Sequence, residues 1–373
     1  MERAKLDFIA LRRVMVFIGI GPPKSNRFGE TTFRGQLWKL LLGVIHADVG
    51  SKLKNDPMAE YMSYIKAGKS TIKTQDGRSS YQAIRDDSFR TLKGAKLFDI
   101  TKEEPKVIRV LNSYVHKSGK PYNQGMNTIL APFLVCMNEM DAFHCFHHFL
   151  EKETPTYWMS YKRQGIGTSK GFYLGARAAT RLADKILLEV DPELRESIMN
   201  CDMIQRNARM MPDQGEAQIF HSLYSFRHMQ VFSLVAKPLK EVIQLWDLFF
   251  ALGFHMHIVA YVAQLILIRH KLMDENASIN RILSQEGWPR LNAEAVCGVT
   301  TKIIQILSED LMDELKAHTT DKELCLRLIE WDPIECELEI KTEPRRRAKS
   351  ESPVRSAGSS RRGSPKDARM DMR

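Results

Sequence analysis

Two strings 34 residues apart hold the side chains with the most chemical reach. The first is Ile84-Arg-Asp-Asp-Ser-Phe-Arg90-Thr91, a guanidinium near carboxylates. The second is Tyr122-Asn-Gln124-Gly-Met-Asn127, a primary amide followed at once by glycine. Arg and Gln are the pair that phosphoryl transfer from a nucleotide to water needs most. One cancels charge on the transferring group and the other orients the water. Yet the chain has no G-x-x-x-x-G-K-[ST] loop to cradle phosphates. Hydrolytic side chains without a nucleotide loop imply use on a nucleotide held elsewhere.

Each string alone has a plainer explanation. Asp87 and Arg90 are an i, i+3 pair of the kind found on any solvated helix face, contributing about 0.2–0.5 kcal/mol. Pro121-Tyr-Asn-Gln-Gly125 reads as a turn before a helix. The run His144-Cys-Phe-His147-His148 is rich in potential metal ligands but lacks H-E-x-x-H or an acidic partner, so packed or solvent-facing histidines are expected there. His255 and His257 are read the same way. No G-x-S-x-G elbow and no Cys/His nucleophile pairing is present.

The elements that must position these residues read as helices almost throughout, since β-branched residues seldom alternate with polar ones. Residues 1–20 have helical spacing at Phe8, Leu11, Val14 or Met15 and Ile18, ended by Gly21-Pro22-Pro23. Phe33–Gly43 puts Leu37, Trp38, Leu40 and Leu41 on one face, with Gly43 as a C-cap. A helix over 57–67 and a polar connection, 69–80, lead to the Arg90 string. Glu103–His116 has Val107, Val110, Leu111 and Tyr114 on one side, and the strongly apolar helix after Gln124 carries Met126, Ile129, Leu130, Phe133, Leu134 and Met137. Further helices are predicted at 141–152, 171–189, 193–205, 214–224, from Pro238 to Ala251, at 258–273, 293–316 and 321–330. The fold class is all-α, without a fixed internal repeat.

Composition bounds the rest. The chain has 373 residues, 43% hydrophobic, enough for one extended core or two domains. Of the +10 net charge, a surplus of seven lies in residues 341–373, with eleven Lys/Arg against four Asp/Glu. The remaining body is near +3, an ordinary solvated surface, so the pI does not mark it as a nucleic-acid binder. The tail is rich in Pro, Ser, Gly and Arg, cannot bury enough surface to offset ordering entropy, and is expected to be disordered. Its lack of aromatics argues against base stacking. Ser352-Pro353 and Ser364-Pro365 resemble proline-directed phosphorylation sites, a dipeptide common in such tails. The six cysteines, Cys136, Cys145, Cys201, Cys297, Cys325 and Cys336, form no C-x-x-C pair and fit reduced, mostly buried thiols. No signal peptide is expected, and the best apolar run, 258–268, is far below the roughly 20 residues of a membrane helix.

Four strings in order change the weight of the evidence. Arg34-Gly-Gln-Leu-Trp38-Lys-Leu-Leu-Leu-Gly43 precedes the Arg90 and Gln124 strings, and Pro238-Leu…Leu245-Trp246-Asp247-x-x-Phe250-x-x-Gly253 follows them. The set resembles the TBC domain of Rab GTPase-activating proteins over residues 34–270. The resemblance implies a two-lobed helical domain, with residues 1–33 packing on it, a helical extension over 271–335 and a disordered basic tail over 336–373. It implies that Arg90 is an arginine finger and Gln124 a glutamine finger, supplied in trans to a small Rab- or Ras-like GTPase. That partner would carry GTP and Mg2+, so the chain would have no cofactor and no nucleotide site of its own. Asp87, Tyr122, Gly125 and Asn127 would brace the two finger loops, and Trp38, Trp246 and Asp247 would hold the fold. Asn123 and Gln244 depart from the common family pattern at positions that are not fingers. Within the family, the strings at 84–94, 108–112, 131–133 and 245–269 look most like the small fungal checkpoint subunit of mitotic exit and septation. That subgroup implies a separate scaffold subunit and a cytoplasmic, spindle-pole-body location. A non-catalytic GTPase- or scaffold-binding module and a vesicle-traffic Rab activator are the alternatives.

Overall fold

Short polar side chains decide where the first helices start. In the computed structural model, which describes residues 7–24, 29–44, 56–161, 172–210, 220–274, 278–284 and 287–330, Asp7 accepts from the backbone of Ile9 and Ala10 and opens α1, Phe8–Phe17. Thr32 does the same through Gly35 N–H for α2, Phe33–Leu41, and Asp56 through Met58 N–H for α3, Pro57–Lys66. Ser79 caps α4, Ser80–Ser88, and Asp99 caps α5, Ile100–Ser118. Such caps satisfy amides that the first turn leaves without partners, at about 1 kcal/mol each. Gly119 ends α5 in the left-handed conformation that glycine adopts without strain.

The apolar helices α6, Met126–Cys136, and α7, Glu139–His148, then build the centre. Beyond a pair of two-residue strands, Ser160–Tyr161 with Phe172–Tyr173, come α8, Leu174–Val190, α9, Pro192–Met199, and α10, Asp202–Met210. The chain continues through α11, Phe226–Gln230, α12, Leu239–Leu252, α13, Met256–Leu267, and α14, Arg269–Leu272. It ends with α15, Ile279–Leu283, α16, Ala293–Ile304, α17, Glu309–Ala317, and α18, Lys322–Glu330. The all-α expectation holds, and all described residues belong to one compact unit, residues 1–331. No described helix is long and apolar enough to cross a membrane.

The core is aromatic at its centre. Trp38 stacks on Phe250 with centroids 4.5 Å apart, Trp246 lies 5.9 Å from Phe133, and Phe149 meets Phe254 at 4.5 Å. Edge and offset contacts of this kind add about 0.5–1.5 kcal/mol per pair beyond area burial. Gly35 is required by close approach, because a Cβ there would sit 2.3 Å from the Cys136 carbonyl oxygen.

Four expectations need correction. The first helix buries only Met15 fully, while Phe8, Val14 and Ile18 stay exposed. It is only ten residues long and lies on α12 along a narrow stripe, fastened by Arg12 Nη1 donating to Ala251 O at 2.9 Å. The helix predicted over 293–316 is two helices, because Ser308 followed by Glu309 and Asp310 starts a new one. Likewise 193–205 divides at Asn200-Cys201 into α9 and α10, and 258–273 divides at Ile268 into α13 and α14. Residues 214–219 of another predicted helix, Cys336 and the 336–373 tail lie outside the described residues.

The C-terminal helices are joined to the body by a buried polar knot. The Tyr157 hydroxyl lies 3.1 Å from His257 Nε2 and 2.8 Å from His318 Nε2. Each Nδ1 faces a carbonyl, Phe254 O at 2.5 Å and Leu315 O at 2.6 Å, so each Nδ1 carries the proton, and the single Tyr157 hydroxyl hydrogen is donated to one Nε2 at a time. Burial holds both rings far below the usual histidine range, His318 at about 3.

Candidate functional site

Helix α4 buries Ala83, Ile84, Asp87 and Ser88 along one face and ends at Phe89. Arg90 therefore lies in the turn just beyond the helix, with its N–H on Asp87 O at 3.3 Å and the next N–H, of Thr91, on Ser88 O at 3.1 Å. Leu92 then takes a φ of 44°, a left-handed conformation uncommon outside glycine. The Arg90 side chain is about half exposed, at 52%, and its Nη2 pairs with Asp87 Oδ1; the Asp87 side chain is 11% exposed.

The other oxygen of Asp87 belongs to the second string. Tyr122 Oη donates to Asp87 Oδ2 at 2.9 Å and lies 3.1 Å from Asn127 Oδ1. Asn127 Nδ2 donates back across the gap, to Thr91 Oγ1 at 2.9 Å and Asp87 O at 3.3 Å. The Tyr122 N–H reaches Ser80 Oγ at 3.1 Å. Burial first, and the Asp87 charge second, push the Tyr122 hydroxyl well above its ordinary pKa, so it stays a donor. Gln124 itself is exposed, two residues from this network. Gly125 follows with a φ of 106° and opens α6.

Thus Asp87, Tyr122, Asn127 and Thr91 tie two loops together, and each loop lifts one exposed polar side chain. Thr91 and Ser80 were not singled out from sequence. Thr91 is adjacent to Arg90 and could have been suspected, whereas Ser80 reads only as a helix-start residue.

Trp38, Trp246 and Asp247 form a separate, buried cluster. Asp247 Oδ1 accepts from Trp38 Nε1 at 2.9 Å and from Arg34 Nε at 3.0 Å, while Oδ2 accepts from Arg34 Nη2 at 3.0 Å. Arg34 Nη2 also donates to Gly21 O at 2.6 Å. Burial raises the Asp247 carboxyl above the usual range, against the pull of Arg34. Sequence reasoning missed Arg34 as its partner, since 213 residues separate them.

The remaining candidates are packing groups. His144 Nε2 lies on Pro57 O at 3.1 Å and His147 lies edge-on to Tyr114. Burial lowers His147 to about 4. Among the described residues, no three His, Cys, Asp or Glu side chains converge as metal ligands. Burial lifts the thiols of Cys297 and Cys325 to about 12 and those of Cys136 and Cys145 further, which suits inert thiols. A cavity of about 480 Å³ beside α9, α10 and α15 includes neither Arg90 nor Gln124 in its walls.

The Rab-GTPase-TBC domain family model matches residues 31–273. The chain belongs to the RabGAP-TBC family. Residues 31–273 are thus a GTPase-activating domain, a type that acts on a small GTPase rather than hydrolysing nucleotide in a site of its own. The putative mitotic check point protein BUB2 of Dictyostelium discoideum is 28% identical over 317 residues, 83% of this chain and 74% of that protein. Cell division control protein 16 of Schizosaccharomyces pombe is 26% identical over 314 residues, 84% of this chain and 89% of that one. Among solved structures, the Ypt/Rab-GAP domain of Gyp1p matches with a TM-score of 0.58 and 16% identity, covering 82% of this chain and 94% of that one, a likeness of fold.

Proposed function

We propose that this TBC domain stimulates GTP hydrolysis in trans with two side chains, Arg90 and Gln124. The observation that carries the reading is the Asp87–Tyr122–Asn127–Thr91 network, which holds both loops on one buried frame while leaving Arg90 and Gln124 exposed. The small GTPase brings GTP and Mg2+. Negative charge builds on the γ-phosphoryl oxygens and on the bridging oxygen as the bond to the leaving diphosphate breaks. The Arg90 guanidinium offsets it, a contribution of 10³–10⁵ in rate for such fingers, or roughly 4–7 kcal/mol. The Gln124 carboxamide oxygen accepts a hydrogen from the attacking water and its nitrogen can donate toward a phosphoryl oxygen, setting the in-line approach. Asp87 holds Arg90 in place before the partner arrives, and Gly125 keeps the loop slim at the point of contact.

The catalytic unit on this reading is 34–270, with residues 1–33 and 271–335 as helical flanks. The names of the two relatives, a mitotic check point protein and a cell division control protein, support a role in cell-division control; within it we place the chain in mitotic exit or septation, working at the spindle pole body with a separate scaffold subunit. Single-turnover GTP hydrolysis, run across a panel of GTP-loaded small GTPases, tests the reading. Wild-type chain should accelerate at least one. Arg90→Ala and Gln124→Ala should each remove the acceleration while leaving the melting temperature near that of wild type. An Arg90→Ala variant as active as wild type would sink the dual-finger mechanism, and binding without acceleration by wild type would favour a docking module.

A further inference from the structure

Gln124 is held from a side its own string does not reveal. Helix α11 ends at Gln230, whose Nε2 donates to the Gln124 carbonyl oxygen at 2.9 Å. Just after it the chain reverses sharply, with Phe232 and Ser233 at φ 48° and 66°. The helix is a firm base. His228, two residues from its end, is buried with its ring 4.3 Å from Trp288 and 5.2 Å from Tyr261, and Ser233 N–H donates to His228 O at 2.9 Å. Gly125 lets the loop settle on this base. A Cβ at that position would meet Gln230 Nε2 and Val231 Cγ1, each at 3.4 Å, in a conformation already at φ 106°. The peptide group on the carbonyl side of the Gln124 Cα is therefore tethered, and the tether limits rotation next to the Cα–Cβ bond.

We propose that Gln230 is a positioning residue for Gln124, fixing the 124–125 peptide so that the Gln124 amide points at the attacking water. The proposal rests on the finger reading of Gln124. Without the Gln230 donor the 124–125 peptide can rotate and swing the amide off line, and a misplacement of about 1 Å can cost up to roughly 100-fold in rate. Gln230 is half buried and nothing in the Gln124 string predicts it, since 106 residues separate the two.

The test uses the full chain and the GTPase of the panel that it accelerates most. Gln230→Glu replaces the donor with a carboxylate that repels the Gln124 carbonyl. It should lower the maximal stimulated rate about tenfold without moving the half-saturating concentration of activator. Gln230→Lys restores a donor and should recover most of that rate. A rise in half-saturating concentration at unchanged maximal rate would overturn the proposal, since Gln230 would then be a docking contact. So would a Gln230→Glu chain as fast as wild type. Hydrogen exchange of the peptide spanning 122–127 needs no GTPase. It should quicken in Gln230→Glu at unchanged melting temperature, and unchanged exchange would show that no tether exists. If Gln124→Ala leaves the rate intact, the finger reading fails instead, and the exchange arm still decides whether Gln230 holds the loop.

Discussion

Asp87 and Asp247 both pair with an arginine, and both accept from the polar edge of an aromatic side chain. Asp247 sits in the core with Arg34, each side chain 5% exposed, and the Arg34 fork is spent on Asp247 and the Gly21 carbonyl. Asp87 sits at the surface edge, where Arg90 engages it through Nη2 and remains half exposed. Trp38 serves Asp247 and Tyr122 serves Asp87. The same chemistry locks helices in one place and presents a cation in the other. Exposure of the guanidinium marks the difference, because an arginine with donors still facing water can give them to a partner's phosphate without first losing a buried ion pair.

The largest effects should therefore fall on opposite measurements. Arg90→Ala is expected to cost 10³-fold or more in stimulated hydrolysis, at least about 4 kcal/mol of transition-state stabilisation, with stability changed by under about 0.5 kcal/mol. Arg34→Ala is expected to cost about 3–5 kcal/mol in stability by stranding the buried Asp247 charge, with the rate per folded molecule unchanged. Urea unfolding and single-turnover hydrolysis on the same two proteins check both. Loss of stability in Arg90→Ala as large as in Arg34→Ala would erase the distinction.

Acid offers a second separation, because the fully buried histidines lie in α11, α13 and just past α17, among the helices that lock rather than in the loops that present. Burial lowers His228 and His318 to about 3 and His257 further. Unfolded, each binds a proton near the ordinary value of 6.5. Below that pH the unfolded chain holds more protons than the folded one, so stability falls as pH drops. The contribution of each is intact above about pH 6.5 and declines toward pH 3, by at most about 1.4 kcal/mol per pH unit per histidine. Urea midpoints between pH 7.5 and 4.5 should fall steadily. Midpoints that hold constant across that range would mean that these rings are not neutral and buried as described.

The two regions also differ in how far the sequence exposes them. Helices with a wide apolar stripe, α5 and α6, stand where their spacing puts them, because burying that stripe outweighs local preference. The stripe assigned to the first helix holds only at Leu11 and Met15 for the converse reason, since Phe8, Val14 and Ile18 stay exposed. Arg90 and Gln124 are visible because their neighbours in the chain are also their neighbours in space: Asp87 lies three residues from Arg90, and Tyr122 two from Gln124. Arg34 with Asp247, and Gln230 with Gln124, are invisible in one sequence. Each pair is joined only by the fold, and neither partner carries a local pattern that names the other.

The smallest predicted effect is the closest comparison of the two carboxylates. Tyr122→Phe removes one donor from Asp87, and Trp38→Phe removes one from Asp247. A buried hydrogen bond to a charged group contributes about 1.5–3 kcal/mol, so both variants should lose stability on that scale, Trp38→Phe more because it also leaves a void among Trp246, Phe133 and Phe250. Their effects on rate should part. Tyr122 bridges the Arg90 loop to the Gln124 loop, and its loss leaves Asn127 to hold them together, so the maximal stimulated rate should drop several-fold even in fully folded protein. Trp38 touches neither loop, and its loss should lower the folded fraction alone. Measured at a temperature where both variants are more than nine-tenths folded, equal rates for Tyr122→Phe and Trp38→Phe would show that the Asp87 network supports the fold and does not aim the two fingers.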